Sequence, residues 1–254
     1  MKEILTITNR KGGTAKTITA GTIGAGLTQR GYKVLFVDLD SQASLTFDTG
    51  ANPNGITAYE VLTGAAKIQD AIQSTPCGDI LPGNPKLATA DMTITNTGKE
   101  YRLKEALEPV RRKYDYCIID TAPQLGILTI NALTASTGIV IPAQAEVGSI
   151  QGIDLLRDAV EDVRKYTNPK LKVKGILLTR YNGRAILSRD MRYNLEQKAK
   201  ELGTKLYDTA IRECIAVREA EASQTDIFTY SRKSNASTDY NAFIEELMKD
   251  LKGA

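Results

Sequence analysis

The chain has 254 residues, of which 42% are hydrophobic and 25% are charged, so its composition is that of a globular protein with a sizeable core. It contains no histidine, which excludes histidine metal sites and catalytic triads that use histidine, and its three cysteines have no metal-binding spacing. The formal net charge of +3 permits an anionic partner without requiring one.

Neither a targeting segment nor a membrane span is visible in the sequence. The first apolar strand begins at Ile4, which leaves no room for a signal peptide. No apolar run approaches the roughly 20 residues that a membrane-spanning helix needs. We therefore expect a cytoplasmic protein with reduced cysteines.

Short apolar segments alternate with helical segments along the chain. The predicted strands cover residues 4–8, 34–38, 116–120, 138–142 and 173–179. The predicted helices cover residues 16–30, 150–166, 188–202 and 237–251. Between residues 41 and 98 the signals weaken, and we predict short helices and loops on the same core. This alternation predicts an α/β fold, with a mostly parallel central sheet and helices on both faces.

A glycine-rich segment joins the first strand to the first helix, and residues 9–17 read NRKGGTAKT. In such a strand-loop-helix unit, backbone amides converge on an anion at the helix N-terminus. Lys16 would neutralise the β and γ phosphates of ATP, and the Thr17 hydroxyl would ligate Mg²⁺. The predicted nucleotide contacts in this P-loop are Lys11, Gly12, Gly13, Thr14, Ala15, Lys16 and Thr17.

Ala15 is the unusual residue of this loop. The strict pattern G-x-x-x-x-G-K-[ST] fails at Arg10 and Ala15, whereas the deviant pattern K-G-G-x-G-K-[ST] fits at six of seven positions. If the position requires a positive φ, a methyl group there costs about 1 kcal/mol. We predict weakened but surviving ATP binding, which Ala15→Gly improves.

Acidic residues follow two apolar strands at the point where each strand ends. Asp38 and Asp40 end one strand, and Asp120 ends another. The carboxyl edge of an open α/β sheet is where such folds bind ligands. Asp120 suits the metal shell, through water, and Asp40 suits the attacking water. The predicted metal residues are Thr17, Asp40 and Asp120, and the predicted catalytic residues are Lys11, Lys16 and Asp40.

These elements, in this order, resemble the ParA/Soj/MinD group of deviant Walker ATPases, and short ParA-type partition proteins most of all. The similarity covers residues 9–17, 37–44, 116–123, 175–184 and 234–247. Lys11 matches the signature lysine that reaches across an ATP-sandwiched dimer. Lys16, Thr17, Asp40 and Asp120 match the nucleotide and Mg²⁺ residues of the group.

The resemblance implies a mechanism for partitioning a plasmid, chromosome or mobile element. Two monomers would close over two ATP molecules, and this homodimer would bind DNA without sequence preference on the nucleoid. Hydrolysis, weak in the protein alone, would be stimulated by a ParB-like centromere-binding adaptor and would release the DNA. We expect residues 1–254 to form a single P-loop ATPase domain, without an N-terminal helix-turn-helix domain.

The base-binding loop departs from the resemblance. An Ile-Pro-Arg-Asn loop often lies near the adenine in this group, and the matching residues here are Ile211-Arg212-Glu213-Cys214. We predict base contacts from Ile211 and Arg212, with an altered set of contacts around them.

An arginine cluster is the candidate DNA surface. Four arginines between residues 180 and 192 are accompanied by a single acid, Asp190. Such a cluster releases counterions from phosphates and gives salt-sensitive affinity without sequence preference. The predicted DNA contacts are Arg180, Arg184, Arg189, Arg192 and Arg218.

Several alternatives remain open. A related ATP switch could position another cargo with little hydrolysis. A MinD-like membrane-cycling protein would need a basic amphipathic C-terminal helix, but Glu245, Glu246 and Asp250 interleave with its apolar residues here. An iron-protein relative would need cysteines placed to hold a cluster, and a metabolic enzyme would need a small-substrate pocket that the sequence does not reveal.

Overall fold

An eight-stranded sheet runs through the structure, a computed structural model that describes residues 1–252. The strands are β1 Glu3–Ile7, β2 Val34–Leu39, β3 Gln73–Thr75, β4 Gly78–Leu81, β5 Tyr116–Thr121, β6 Gly138–Ala143, β7 Lys172–Tyr181 and β8 Leu206–Arg212. They lie in the order β3-β4-β2-β5-β1-β6-β7-β8. Every neighbouring pair is parallel except β3 and β4, which are antiparallel.

Helices follow most of the strands. They are α1 Lys16–Gln29, α2 Ser44–Asp48, α3 Ala58–Thr63, α4 Ile68–Ala71, α5 Ala90–Thr93, α6 Arg102–Leu107, α7 Ile127–Ala135, α8 Val147–Tyr166, α9 Ile186–Glu201, α10 Ile215–Ala222, α11 Ile227–Tyr230 and α12 Asn235–Lys252. Short 3-10 turns cover Pro85–Thr89, Lys99–Tyr101 and Glu108–Val110. No helix within residues 1–252 is both long enough and apolar enough to cross a membrane.

The sheet is covered on both faces because successive side chains of a strand point to opposite sides. Leu5 and Ile7 pack in one apolar cluster with α1, α10 and α12. Ile4 packs on the opposite face with α3, α6 and α7, and Ile139 packs there with α8 and α9 in a third cluster. This arrangement confirms the predicted α/β fold with helices on both faces.

The C-terminal helix α12 belongs to this core. Phe243, Ile244 and Leu247 are at most 1% exposed. Its polar side also contacts the sheet. Glu246 accepts hydrogen bonds from the amides of Asp208 and Thr209 on the edge strand β8, at 2.9 and 3.1 Å. The apolar side of α12 is therefore occupied by the protein itself.

Three strands were missed by the sequence prediction. Residues 41–98 contain β3 and β4 in addition to the expected short helices and loops, and these strands have only three and four residues. Ile211 and Arg212 were assigned to a loop, which was wrong, because they are the last residues of β8. This edge strand is partly exposed and lacks a continuous apolar run, so it carries little of the signal that marks a buried parallel strand.

Candidate nucleotide-binding site

The candidate site lies at the carboxyl edge of the sheet, beside β1. This strand is flanked by β5 on one side and β6 on the other. The chain leaves β1 toward β2 on one side of the sheet, and it leaves the neighbouring β6 toward β7 on the other side. Connections that diverge in this way open a crevice beyond the carboxyl ends of the strands. The loop from β1 to α1 lies at this edge, together with the acidic ends of β2 and β5.

The loop has the backbone geometry of an anion cradle. Gly13 has a φ of 76°, and Ala15 has a φ of 64° with a ψ of 35°, so both residues are left-handed. Within residues 1–252, the amides from Gly12 to Ala15 donate no hydrogen bond to a protein acceptor. A Cβ atom at Gly12 or Gly13 would meet nothing within 4 Å. Free amides facing open space are what a phosphate requires.

Neighbouring strand ends hold the loop in place. The Gln144 side chain, just after β6, donates to the Gly13 carbonyl at 2.6 Å. The Thr179 hydroxyl on β7 donates to the Thr14 carbonyl at 3.1 Å. Because these bonds use loop carbonyls, the amides stay available for a ligand.

Lys16 is the buried cation of the site, with 7% of its surface exposed. Its ammonium group donates to the Lys11 carbonyl at 3.2 Å. Burial lowers the pKa of Lys16, while the nearby carboxylates of Asp120 and Asp40 act in the opposite direction. Lys16 is therefore close enough to both predicted acids to interact with them.

Asp120 is the carboxylate best placed to hold a metal ion. It pairs in register with Asp38 on the neighbouring strand, and both are fully buried. Asp38 accepts hydrogen bonds from the amide and hydroxyl of Thr46 at 2.8 and 2.7 Å, whereas Oδ2 of Asp120 has no hydrogen-bond partner within residues 1–252. An unpartnered buried carboxylate oxygen beside Thr17 fits a hard cation such as Mg²⁺.

Burial and mutual repulsion shape the ionisation of these two acids. Burial raises the pKa of Asp120 well above its usual range, the Asp38 carboxylate adds to that rise, and Thr17 and Lys16 oppose it. Burial likewise raises the pKa of Asp38 to about 6, although its hydrogen bonds with Thr46 oppose the rise. A cation between them would offset the cost of two buried charges.

Asp40 is half-buried and lines a hollow of about 350 Å³ above the loop. Its amide donates to Asp38 Oδ1 at 3.0 Å, and its own Oδ1 accepts from the Gln42 amide at 3.0 Å. The hollow is lined by Gly12, Gly13, Ala15, Lys16, Thr17, Ile18, Asp40, Ser44, Pro123, Arg180 and Glu221. The structure thus brings together Lys16, Thr17 and Asp40, as the sequence predicted.

The side chains of two predicted nucleotide contacts, Lys11 and Thr14, do not line the hollow. Lys11 is not part of the hollow's lining, because its ammonium group forms an ion pair with Glu146, which immediately precedes α8. Thr14 is fully buried, and its hydroxyl donates to the Lys11 carbonyl at 3.3 Å. Thr14 therefore offers its amide, and not its side chain, to the site.

A second cavity of about 210 Å³ adjoins the loop on the side of β7 and β8. Its lining includes Ala15 and Ile18 of the P-loop unit and the predicted base contacts Ile211 and Arg212. The Arg212 guanidinium donates to both carboxylate oxygens of Asp239 on α12, at 2.9 and 2.6 Å. This fork of bonds fixes the rim of the cavity.

The five arginines predicted to bind DNA occupy two different places. Arg180 and Arg218 line the 210 Å³ cavity. Arg184 and Arg189 are exposed at the start of α9. Arg192 is half-buried, pairs with Glu196 at 3.3 Å and stacks its guanidinium over the Tyr181 ring.

Sequence reasoning missed several residues that shape the site. Gln144 and Thr179 hold the loop, and Glu221 lines the hollow from α10. Asp38 was noticed only as one of two adjacent acids, yet its carboxylate holds the start of α2. The sequence does not carry a signal for the contacts of Gln144 and Thr179, because they join residues 131 and 165 positions apart in the chain.

The fold and this site define the class: a P-loop nucleotide-binding protein with a deviant Walker loop. The sequence matches the AAA domain family model AAA_31 over residues 2–173. The sporulation initiation inhibitor protein Soj of Bacillus subtilis is 36% identical over 252 residues, covering 97% of this chain and 98% of Soj. The chromosome partitioning protein ParA of Caulobacter vibrioides is 34% identical over 256 residues, covering 96% and 93%. The chain belongs to the ParA/Soj family of P-loop ATPases.

A solved structure shares the fold along the whole chain. The cobyrinic acid a,c-diamide synthase from Mycobacterium smegmatis, with a bound ATP analogue and magnesium, has a TM-score of 0.82 and 34% identity, and the match covers 99% of this chain and 96% of that one. Family membership and fold therefore agree from β1 to α12.

Proposed function

We propose that this protein is a ParA-type partition ATPase that binds Mg-ATP in the hollow above the P-loop. One observation carries the proposal: the unpartnered buried oxygen of Asp120 lies beside Thr17 and Lys16, next to a run of free loop amides. The nucleotide and magnesium in the mycobacterial structure of the same fold support this choice of ligand.

Each residue of the site has a distinct task in this proposal. Free amides of the loop bind the phosphates, and Lys16 neutralises the charge between the β and γ phosphates. Thr17 and Asp120 hold Mg²⁺, which supplies charge neutralisation when bound. Asp40 stands at the open side of the hollow, where it orients the attacking water.

The proposal includes a nucleotide-dependent homodimer. Lys11 lies outside its own hollow and is 28% exposed at its side chain, so it can leave Glu146 and reach a second nucleotide. Surface ion pairs of this kind contribute little stability, so breaking the pair between Lys11 and Glu146 costs little free energy. In the dimer, Lys11 would neutralise phosphates bound by the partner.

DNA binding is assigned to the exposed start of α9, without sequence preference. Arg184 and Arg189 face solvent there, whereas Arg192 is partly neutralised by Glu196. A ParB-like adaptor would then stimulate hydrolysis and release the DNA. The chromosome partitioning role of the Caulobacter relative, as its name states it, supports this cargo class.

Two measurements on the full chain test the proposal. Wild type should bind ATP with Mg²⁺ and should retain DNA in a gel shift only when ATP is present, with a steep loss as salt rises. The double variant Arg184→Glu, Arg189→Glu should lose DNA retention and keep ATP binding. Arg112→Glu, an exposed arginine at the opposite edge of the sheet, is the matched control and should retain DNA.

The outcomes separate the competing classes. Absence of ATP binding by the wild type would overturn the nucleotide site. ATP binding without DNA retention, and without turnover in the presence of DNA, would favour the ATP switch that positions another cargo. Undiminished retention by the double variant would move the DNA surface elsewhere.

A further inference from the structure

Arg180 is the penultimate residue of β7, and its exposed side chain lies at the boundary between the two cavities. It is the only arginine within residues 1–252 that lines both the 210 Å³ base cavity and the 350 Å³ phosphate hollow. A side chain in this position can reach a bound nucleotide between its base and its phosphates. The start of α9, where the other arginines of the cluster lie, is a different surface.

The backbone at Arg180 is strained. Its φ of 49° lies in the left-handed region, which is unfavourable for a residue with a Cβ atom. The preceding residue, Thr179, is tied to the P-loop at Thr14 and to the β6 residue Ala143. Strain of this kind persists where the surrounding structure holds it, and it is concentrated at functional sites.

Charge also distinguishes this arginine from its neighbours. Arg192 and Arg212 pair with Glu196 and Asp239, whereas within residues 1–252 Arg180 has no carboxylate within ion-pair distance. The charged residues lining the phosphate hollow are Lys16, Arg180, Asp40 and Glu221. Since Lys11 pairs with Glu146 outside the hollow, Arg180 and Lys16 are the cations that one subunit presents there.

Glu221 on α10 is the acid that faces Arg180 across the hollow. Burial raises the pKa of Glu221, and the charges of Arg180 and Arg218 act against that rise. A carboxylate in a phosphate hollow repels the ligand unless a cation stands between them. Arg180 is placed to shield the phosphates from Glu221.

We propose that Arg180 binds the phosphate chain of the nucleotide in cis and screens it from Glu221, so that it is a nucleotide-binding residue and not a DNA contact. This inference rests on the proposed nucleotide site. It adds a second cation from the same subunit, which compensates for the absence of Lys11 from the hollow before a partner arrives.

Calorimetric titration of the full chain with adenosine, ADP and Mg-ATP tests the inference. Arg180→Ala should weaken Mg-ATP binding about tenfold or more, as expected for a lost charge-assisted hydrogen bond. The loss should be smaller for ADP and negligible for adenosine, because the contact is with phosphates. Arg180→Lys should restore part of the affinity, and Arg112→Ala is the control.

Two further variants guard against indirect effects. Arg180→Gly relieves the left-handed strain while removing the charge, so it should fold at least as stably as wild type and still lose Mg-ATP affinity. As a single substitution, Glu221→Gln should leave Mg-ATP affinity unchanged or raise it. It should reduce the loss caused by Arg180→Ala when the two are combined.

The failures are distinguishable. Wild type that binds no Mg-ATP would overturn the proposed function and this inference with it. Wild type that binds, with Arg180→Ala and Arg180→Gly binding equally well, would overturn this inference alone. An equal loss for adenosine would make Arg180 a base contact, and lost DNA retention with intact nucleotide affinity would return it to the DNA surface; both results contradict the proposal.

Discussion

The phosphate side and the base side of the site are built by different means. On the phosphate side, Lys16, Asp38 and Asp120 are buried, and hydrogen bonds from β6 and β7 fix the loop. On the base side, Arg212 and Arg218 are exposed around a small cavity at the edge of the sheet. The phosphate side is therefore formed by buried residues, and the base side by exposed residues at the rim of a cavity.

This difference explains where the sequence keeps to the pattern of its family and where it departs from it. Buried polar groups depend on one another, so a change in one leaves another without a partner. Exposed groups at the rim can be replaced with little effect on the fold. The departures at Arg212, Glu213 and Cys214 lie on the rim, whereas the single departure in the loop, Ala15, is the smallest side chain that could occupy its position.

The largest effect is expected on the phosphate side. Lys16→Ala should weaken Mg-ATP binding by about 100-fold or more, because a buried cation is removed from the phosphates and from two carboxylates. Fluorescence titration with a labelled ATP would measure it, with Lys67→Ala, an exposed lysine remote from the site, as control. If Lys16→Ala bound Mg-ATP within a fewfold of wild type, the contrast between the two sides would be wrong, because the buried phosphate side would then contribute little of the affinity.

A smaller effect is expected from filling the base cavity. Cys214 lines it, and Cys214→Phe should occupy much of the 210 Å³ and weaken ATP binding about tenfold. Inorganic triphosphate, which has no base, should bind as before. Competition titration with both ligands measures the contrast, and Cys214→Ser is the matched control. Equal losses for the two ligands would show that the regions are not separable.

Asp48, a partly buried acid outside both cavities, should give a pH-dependent effect on stability. It lies in the cleft between α2 and α10, where burial, Glu221 and Asp38 raise its pKa from 3.8 to about 7. A raised pKa means that the folded protein holds this proton more tightly than the unfolded chain. Asp48 therefore destabilises the wild type progressively as the pH rises from about 4 to about 7.

Asp48→Asn removes this dependence. Its Tm should exceed that of the wild type by a few degrees at pH 8 and approach it near pH 4. Thermal unfolding across the pH range measures the difference, with the exposed Asp70→Asn as control. Parallel pH profiles for wild type and Asp48→Asn would contradict the assignment.

The smallest effect is expected at Ala15. The sequence alone predicts that Ala15→Gly improves ATP binding. Since Ala15 is left-handed in the folded loop, its strain forms part of the free energy of folding, so the gain should fall mainly on stability. We expect about 0.5 kcal/mol, the left-handed penalty less the entropy that glycine adds to the unfolded chain. Chemical denaturation measures it, and a large gain in affinity with unchanged stability would show that the loop rearranges on binding.

Sequence reasoning was strongest where a local pattern coincides with a buried element. The loop before α1 and the acids after β2 and β5 are each contiguous in sequence, so their clustering follows from parallel strands. The edge strand β8 lacks that pattern, because it is partly exposed and has no continuous apolar run. Its amides at Asp208 and Thr209 are satisfied by Glu246 on α12, a contact that the local sequence does not reveal. The arginines looked like one cluster in sequence, but Arg180 lies on β7 beside the two cavities and Arg189 lies on α9, so they face different surfaces.

One turn of the chain, between β6 and α8, holds the P-loop at two points. The Gln144 side chain donates a hydrogen bond to the Gly13 carbonyl, and Glu146 forms an ion pair with Lys11. Helix α8 begins one residue later, and Val147 and Leu155 on it are 62% and 49% exposed. The same short turn therefore supports both the P-loop and the start of a 20-residue helix, so the two elements share one anchor.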